Sequence, residues 1–141
     1  VAIKIFSSNV CDIFLYNYLY SLTNLYINII KIMSNPFEQI SLKKGFMKHN
    51  GGVMFRNISE NEYEFKSTIT ENHLNAAGIT HGGYLSALID AGSGTAAHRT
   101  AVNAPCVTIS LDIKFIGASK VGDEIISHVK ILKKTKTLIF L

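Results

Sequence analysis

A chain of 141 residues, 48% hydrophobic and 17% charged, is sized for one domain with one core, and this composition excludes a charge-rich disordered segment. Its two cysteines, Cys11 and Cys106, are far apart and in no C-x-x-C or Cys/His metal spacing, which argues against a disulfide framework or zinc site and for a reducing, cytoplasmic setting. A formal net charge of +4 suits nucleic acid, an anionic membrane or an anionic small molecule and does not choose among them.

Residues 1–32 hold four of the six tyrosines and none of the ten glycines, which marks a boundary. No charge appears from Ile13 to Ile30, but Asn17, Ser21, Thr23, Asn24 and Asn28 interrupt the run, so a membrane span is not expected. There is neither a compact basic start nor a small-residue cleavage site, as a secretory signal would need. Met33 is read as the functional start. Residues 1–32 are then an extension that need not be native, and 33–141 form the domain.

Asn35 as cap, Pro36 in the first turn and Glu38 near it predict a short amphipathic helix from Pro36 to about Lys48, using Phe37, Ile40, Phe46 and Met47. Gly51-Gly52 ends it. Val53 and Phe55, then Tyr63, Phe65 and Ile69, alternate with polar residues around Ser59-Glu60-Asn61 and predict a hairpin. After a polar loop from Glu71 to Thr80, the segment from His81 to about Thr100 has helical spacing, with Leu85, Leu88, Ile89, Gly92 and Ala96 on one stripe.

Beyond Pro105, Val107, Ile109, Leu111, Ile113 and Phe115 alternate with Thr108, Ser110, Asp112 and Lys114, the clearest strand pattern in the chain. Val121-Gly122-Asp123 supplies a turn, Ile125 to Leu132 a strand, and Lys134 to Lys136 a tight connection into Leu138–Leu141. Hairpin-joined strands on both sides of one long helix predict an antiparallel α+β fold with the sheet curled over that helix. Lys130, Lys133, Lys134 and Lys136 make a basic cluster, read either as a solvated strand end and turn or as a contact for the phosphates of a nucleotide-bearing ligand.

Chemistry concentrates between Glu71 and Ala97. His81-Gly82-Gly83 stands where a loop becomes a helix, and a helix start offers unpaired N–H groups and the positive end of the dipole to an anion or a developing oxyanion. Asp90 has Gly83, Ala87, Gly94 and Ala97 as helical neighbours, a small-residue stripe open to close approach, and a carboxylate enclosed there suits general base work. Asn75 in the preceding loop can orient a water or a carbonyl. Taken singly, each has a plainer reading: a tight turn, an exposed carboxylate, ordinary loop chemistry.

Taken together, N-x-x-G-x-x-H-G-G followed seven residues later by aspartate, here Asn75, Gly78, His81, Gly82, Gly83 and Asp90, resembles the hotdog-fold thioesterases of the phenylacetate-degradation and acyl-CoA thioesterase group. The resemblance runs from about Met33 to Leu141. It implies a hotdog fold, an antiparallel sheet wrapped around one long central helix, and hydrolysis of acyl-CoA thioesters to free acid and CoA. It also implies that the Gly82 N–H polarises the thioester carbonyl, that His81 and Asn75 position substrate or water, and that Asp90 activates the water or attacks directly. An assisting hydroxyl falls on Thr108, with Gly83 and His73 expected beside the substrate. No cofactor, metal or nucleic acid is implied. The alternative is a non-catalytic module that binds acyl-CoA; a hotdog dehydratase would need a differently placed aspartate and histidine pair.

Geometry adds one inference. Gly82 and Asp90, eight residues apart on a helix, are separated by roughly 12 Å, too far for one carbonyl to touch both. If both serve one site, two copies of the chain must meet there, which agrees with the dimers, or dimers of dimers, typical of the family. Three features depart from its pattern: Lys-Lys-Thr-Lys after Leu132 where glycine is common, Gly117 at a strand end, and a last strand that in the family continues past Leu141 and is expected to be truncated here. His49, His73, His98 and His128 share no metal-ligand spacing and read as surface or turn residues.

Overall fold

Alternation of apolar and polar residues builds the sheet. Strands β2 (Val53–Ser59) and β3 (Glu62–Thr68) pair antiparallel with Phe55 opposite Phe65 and Arg56 opposite Glu64. Val53, Phe55, Tyr63 and Phe65 are buried on one face, while Arg56 Nε donates to Glu64 Oε2 at 2.6 Å on the other. Strand β4 (Glu124–Lys130) pairs with β3 from Glu62 to Thr68, and β1 (Glu38–Ile40) covers the other edge of β2, giving the antiparallel order β1-β2-β3-β4.

These elements come from a computed structural model that describes residues 18–27, 29–30, 35–41 and 43–141. The chain divides into two units, Val1–Asn35 and Pro36–Leu141. In the first, 18–27 and 29–30 are helical, and no described helix is long and apolar enough to cross a membrane. Cys11 and the expected start at Met33 lie outside the described residues.

The helix expected from Pro36 to Lys48 is a strand followed by one helical turn, Phe46–His49. Glu38–Ile40 satisfies the edge of β2, and Ser41 and Gly45, at φ of 60° and 92°, break helical continuity between the two pieces. Phe37, expected on a helical stripe, instead lies under the Arg56 guanidinium and the Lys66 ammonium at 4.4 and 4.8 Å.

The long helix, Gly82–Thr100, packs against β2, β3 and β4 through Tyr84, Leu88, Gly92 and Ala96, a buried stripe spaced by four, with Leu85 and Ile89 partly buried beside it. At Gly92 the helix packs tightly on the sheet: a Cβ there would lie 2.3 Å from the Phe65 ring. Phe55, Phe65, Ile69, Leu88 and Val53 are the largest fully buried side chains, each contributing roughly 1.5–3 kcal/mol of burial. The expected α+β arrangement of an antiparallel sheet packed on one long helix is thus present.

The strand expected from Val107 to Phe115 is not formed. That stretch pairs with no strand among the described residues, and Val107, Ile109 and Ile116 are 86%, 79% and 98% exposed. A strand needs a ladder partner, and alternation alone does not supply one. The segment is tied down by side chains and at Thr80, where Ser119 O accepts the Thr80 N–H at 2.9 Å. Further on, β5 (Lys133–Lys134) pairs with β6 (Ile139–Phe140) around a turn held by Thr135, whose Oγ1 accepts from Leu138 N at 2.9 Å. No residue of that turn has positive φ, so its Lys-Lys-Thr-Lys sequence needs no glycine. Lys130 pairs with Glu62 at 3.5 Å, and Lys134 Nζ donates to Thr100 O at 2.7 Å at the helix C-terminus.

Candidate active site

The loop before the long helix is shaped by its own polar groups. Asn75 Oδ1 accepts from Ala77 N at 2.9 Å and Ile79 N at 3.3 Å, while Gly78, at φ 75°, takes the left-handed conformation that lets the loop close onto the Leu74–Thr80 bridge. The turn therefore uses the Asn75 carbonyl oxygen and leaves its NH2 group as a donor.

His81 caps the helix. Its Nδ1 accepts from Gly83 N at 2.8 Å, a role more often filled by Ser, Thr, Asp or Asn. One consequence separates the two glycines: the Gly83 N–H is consumed by the cap, whereas among the described residues no group accepts from the Gly82 N–H. That donor stands at the positive end of a 19-residue helix. The Phe115 ring packs against Gly82, with a Cβ there lying 3.3 Å from the ring.

Asp90 sits two turns along the same helix and is exposed within one chain, not enclosed. Thr108 Oγ1 donates to its Oδ1 at 2.5 Å, the short distance of a hydroxyl bonded to a carboxylate. A Cβ at Gly94, one turn on, would meet nothing within 4 Å, so the surface beside Asp90 is open. The fold thus joins Thr108 to Asp90 and puts Asn75, His81 and Gly82 at the helix start, with roughly 12 Å of helix between the two groups.

His73, read as a surface or turn residue at the mouth of the site, is 3% exposed. Burial holds its pKa below the ordinary value, and the ring stacks in parallel on Tyr84 with centroids 3.7 Å apart. Tyr84 and its partner Ser67, with hydroxyl oxygens 2.6 Å apart, were not singled out from sequence, nor was the packing of Phe115 on Gly82. A buried tyrosine needs a hydrogen-bond partner, and the four-residue spacing of Tyr84, Leu88, Gly92 and Ala96 was the available signal. A half-open cavity of about 480 Å³ lies under this cluster, walled by His73, Ser67, Thr70, Lys48, His49 and Lys66 among others.

Elsewhere, His98 Nδ1 lies 2.7 Å from Ala104 O, and His128 Nδ1 lies 3.2 Å from Glu64 Oε1. Among the described residues no group of three or more His, Cys, Asp or Glu side chains is placed to hold a metal ion.

The family model of the thioesterase superfamily matches residues 77–141, the stretch that carries Gly82, Asp90 and Thr108. Over those residues the chain is similar to that superfamily. Its fold is the hotdog fold of that superfamily: the crystal structure of zebrafish thioesterase superfamily member 2 superposes with a TM-score of 0.62 at 26% identity, covering 70% of this chain and 72% of that one. Mouse acyl-coenzyme A thioesterase 13 is 38% identical over 72 residues, 51% of each chain, so the chain spans about half the length of that superfamily relative. Human acyl-coenzyme A thioesterase 13 is 28% identical over 120 residues, 85% of this chain and 81% of that protein.

Proposed function

We propose that this chain hydrolyses acyl-CoA thioesters to a free acid and CoA. The observation that carries the reading is the division of one helix into an N–H donor at Gly82 with no partner among the described residues and, at Asp90, a carboxylate bonded to Thr108. The relatives named for acyl-coenzyme A thioesterase activity support the substrate class.

The thioester oxygen accepts from the Gly82 N–H, which needs no reorganisation as negative charge develops on that oxygen. Asp90 takes a proton from water as its oxygen bonds the carbonyl carbon. Collapse of the tetrahedral intermediate breaks the C–S bond, and the proton on Asp90 passes to the departing thiolate. Thr108 holds the carboxylate in one rotamer. The Asn75 amide and the His81 ring, whose Nδ1 is committed to the cap, line the approach and orient substrate or water. The Gly83 N–H is spent on the cap, so its part is to let substrate pass close to the backbone.

Gly82 and Asp90 of one chain cannot reach the same carbonyl, so each site combines Gly82 of one copy with Asp90 of a second. The uncovered residues Val107 and Ile109 on either side of Thr108, Ile116 farther along the same segment, and the open surface at Gly94 are where that copy docks.

The test is thiol release from aryl, short and long acyl-CoA substrates by the wild-type protein and by Asp90→Asn. The variant keeps the shape and removes the base, and turnover falls by at least about a hundredfold. Unchanged turnover removes Asp90 from the mechanism, and acyl-CoA that binds without thiol release by the wild type makes the chain a binding module instead.

A further inference from the structure

The loop that presents Gly82 is anchored from beneath by the buried side chain of His73. Thr70 N–H donates to His73 Nδ1 at 3.1 Å, which makes Nδ1 the acceptor and Nε2 the proton carrier, and Nε2 lies 3.2 Å from Asn50 O. The imidazole is parallel to the Tyr84 ring within 6°, Tyr84 is tied to Ser67 on β3, and the His73 carbonyl accepts the His81 N–H at 2.7 Å. One residue thereby joins the end of the short helix, the 3-10 turn Glu71–His73, the sheet and the first turn of the long helix to the residue directly before Gly82.

We propose that His73 is a positioning residue for the site: it sets the height and direction of the His81–Gly82 backbone relative to the sheet and does not itself touch substrate. The proposal rests on the hydrolase reading above. Both ring nitrogens are engaged by backbone groups, so neither is left for a substrate. The hydrogen bonds require the neutral imidazole, and burial favours that form. The ionisable groups around it are Tyr84, whose own pKa burial raises so that it stays a neutral phenol, and Lys48, His49 and Lys66, which line the same cavity. Displacing a donor by about 1 Å costs on the order of a hundredfold in rate, so an anchor of this kind acts on turnover without any contact to the reacting atoms.

The experiment compares the full chain with His73→Phe, which keeps a flat ring on Tyr84 and removes both nitrogens, and His73→Gln, whose amide can still donate to Asn50 O. Urea unfolding checks the fold, thiol release gives kcat and KM, and amide hydrogen exchange follows residues 81–85. The expected result for His73→Phe is a kcat about ten- to a hundredfold lower with KM within about twofold, faster exchange of the His81 and Gly83 amides, and partial recovery of both in His73→Gln. A folded His73→Phe with unchanged kcat and exchange, or with a raised KM alone, overturns the proposal. If His73→Phe does not fold, His73→Gln is judged by the same criteria. A wild type that releases no thiol defeats the hydrolase reading, while the exchange measurement still decides whether His73 fixes the His81–Gly82 backbone.

Discussion

The start of the long helix and its middle carry the two halves of the candidate site, and the fold treats them differently. At the start, the His81 N–H bonds to His73 O, the His81 ring caps Gly83, and Thr80 bonds to Ser119, with His73 and Tyr84 buried below. In the middle, Asp90 is exposed, its hydrogen-bond partner among the described residues is Thr108, and Thr108 belongs to a segment with no strand neighbour and several apolar side chains in the open. An oxyanion donor works by being fixed before charge develops, and one chain supplies that rigidity alone. The carboxylate half has no such enclosure within one chain.

The sharpest way to break this comparison is to remove the donor without disturbing the helix. Gly82 is the first helical residue, where proline is favoured because its missing N–H has no intrahelical partner to lose. Gly82→Pro should keep the helical signal and lose about a hundred- to a thousandfold in kcat; helix content by circular dichroism with thiol release checks both, and near wild-type kcat would clear Gly82 of any role. Thr108→Val probes the less fixed half. It removes one hydrogen bond to a charged group and should lower kcat about tenfold, with Thr108→Ser close to wild type. Equal activity in both variants would mean that the hydroxyl does not hold Asp90.

The smallest expected effect is on stability. Burial lowers the folded-state pKa of His73 below the ordinary 6.5, so below that pH the unfolded chain binds more protons than the folded one. The stabilising contribution is therefore fully present above pH 6.5 and is lost as pH falls from there through the folded value. The urea midpoint should drop on acidification from about pH 7.5 to about pH 5, and His73→Phe should show a shallower drop. An identical pH profile in the variant would mean that His73 is not the group responsible.

Much of this arrangement was legible in the residues, and the failures have physical causes. The hairpin of β2 and β3 and the long helix follow from strong periodicity with clear turn signals. The segment Val107–Phe115 has the cleanest alternation in the chain and still forms no strand, because periodicity says which side chains share a face and not which backbone supplies the ladder. Pro36–Lys48 carries helix-start signals, but the open edge of β2 recruits Glu38–Ile40 and Ser41 takes a left-handed turn. The burial of His73 was illegible for a related reason: beyond Thr70 in its own turn, its partners Asn50 and Tyr84 come from two other elements that only the fold brings to it.

The central claim is that a donor and a carboxylate on one helix serve different sites, and subunit complementation tests it most directly. Gly82→Pro and Asp90→Asn, each inactive alone, are unfolded and refolded together in equal amounts. If sites are shared between two copies, half of the dimers are mixed and each of these keeps one intact site of two, so the mixture recovers about a quarter of wild-type thiol release. A mixture as inactive as either parent, with mixed dimers present, would contradict the account.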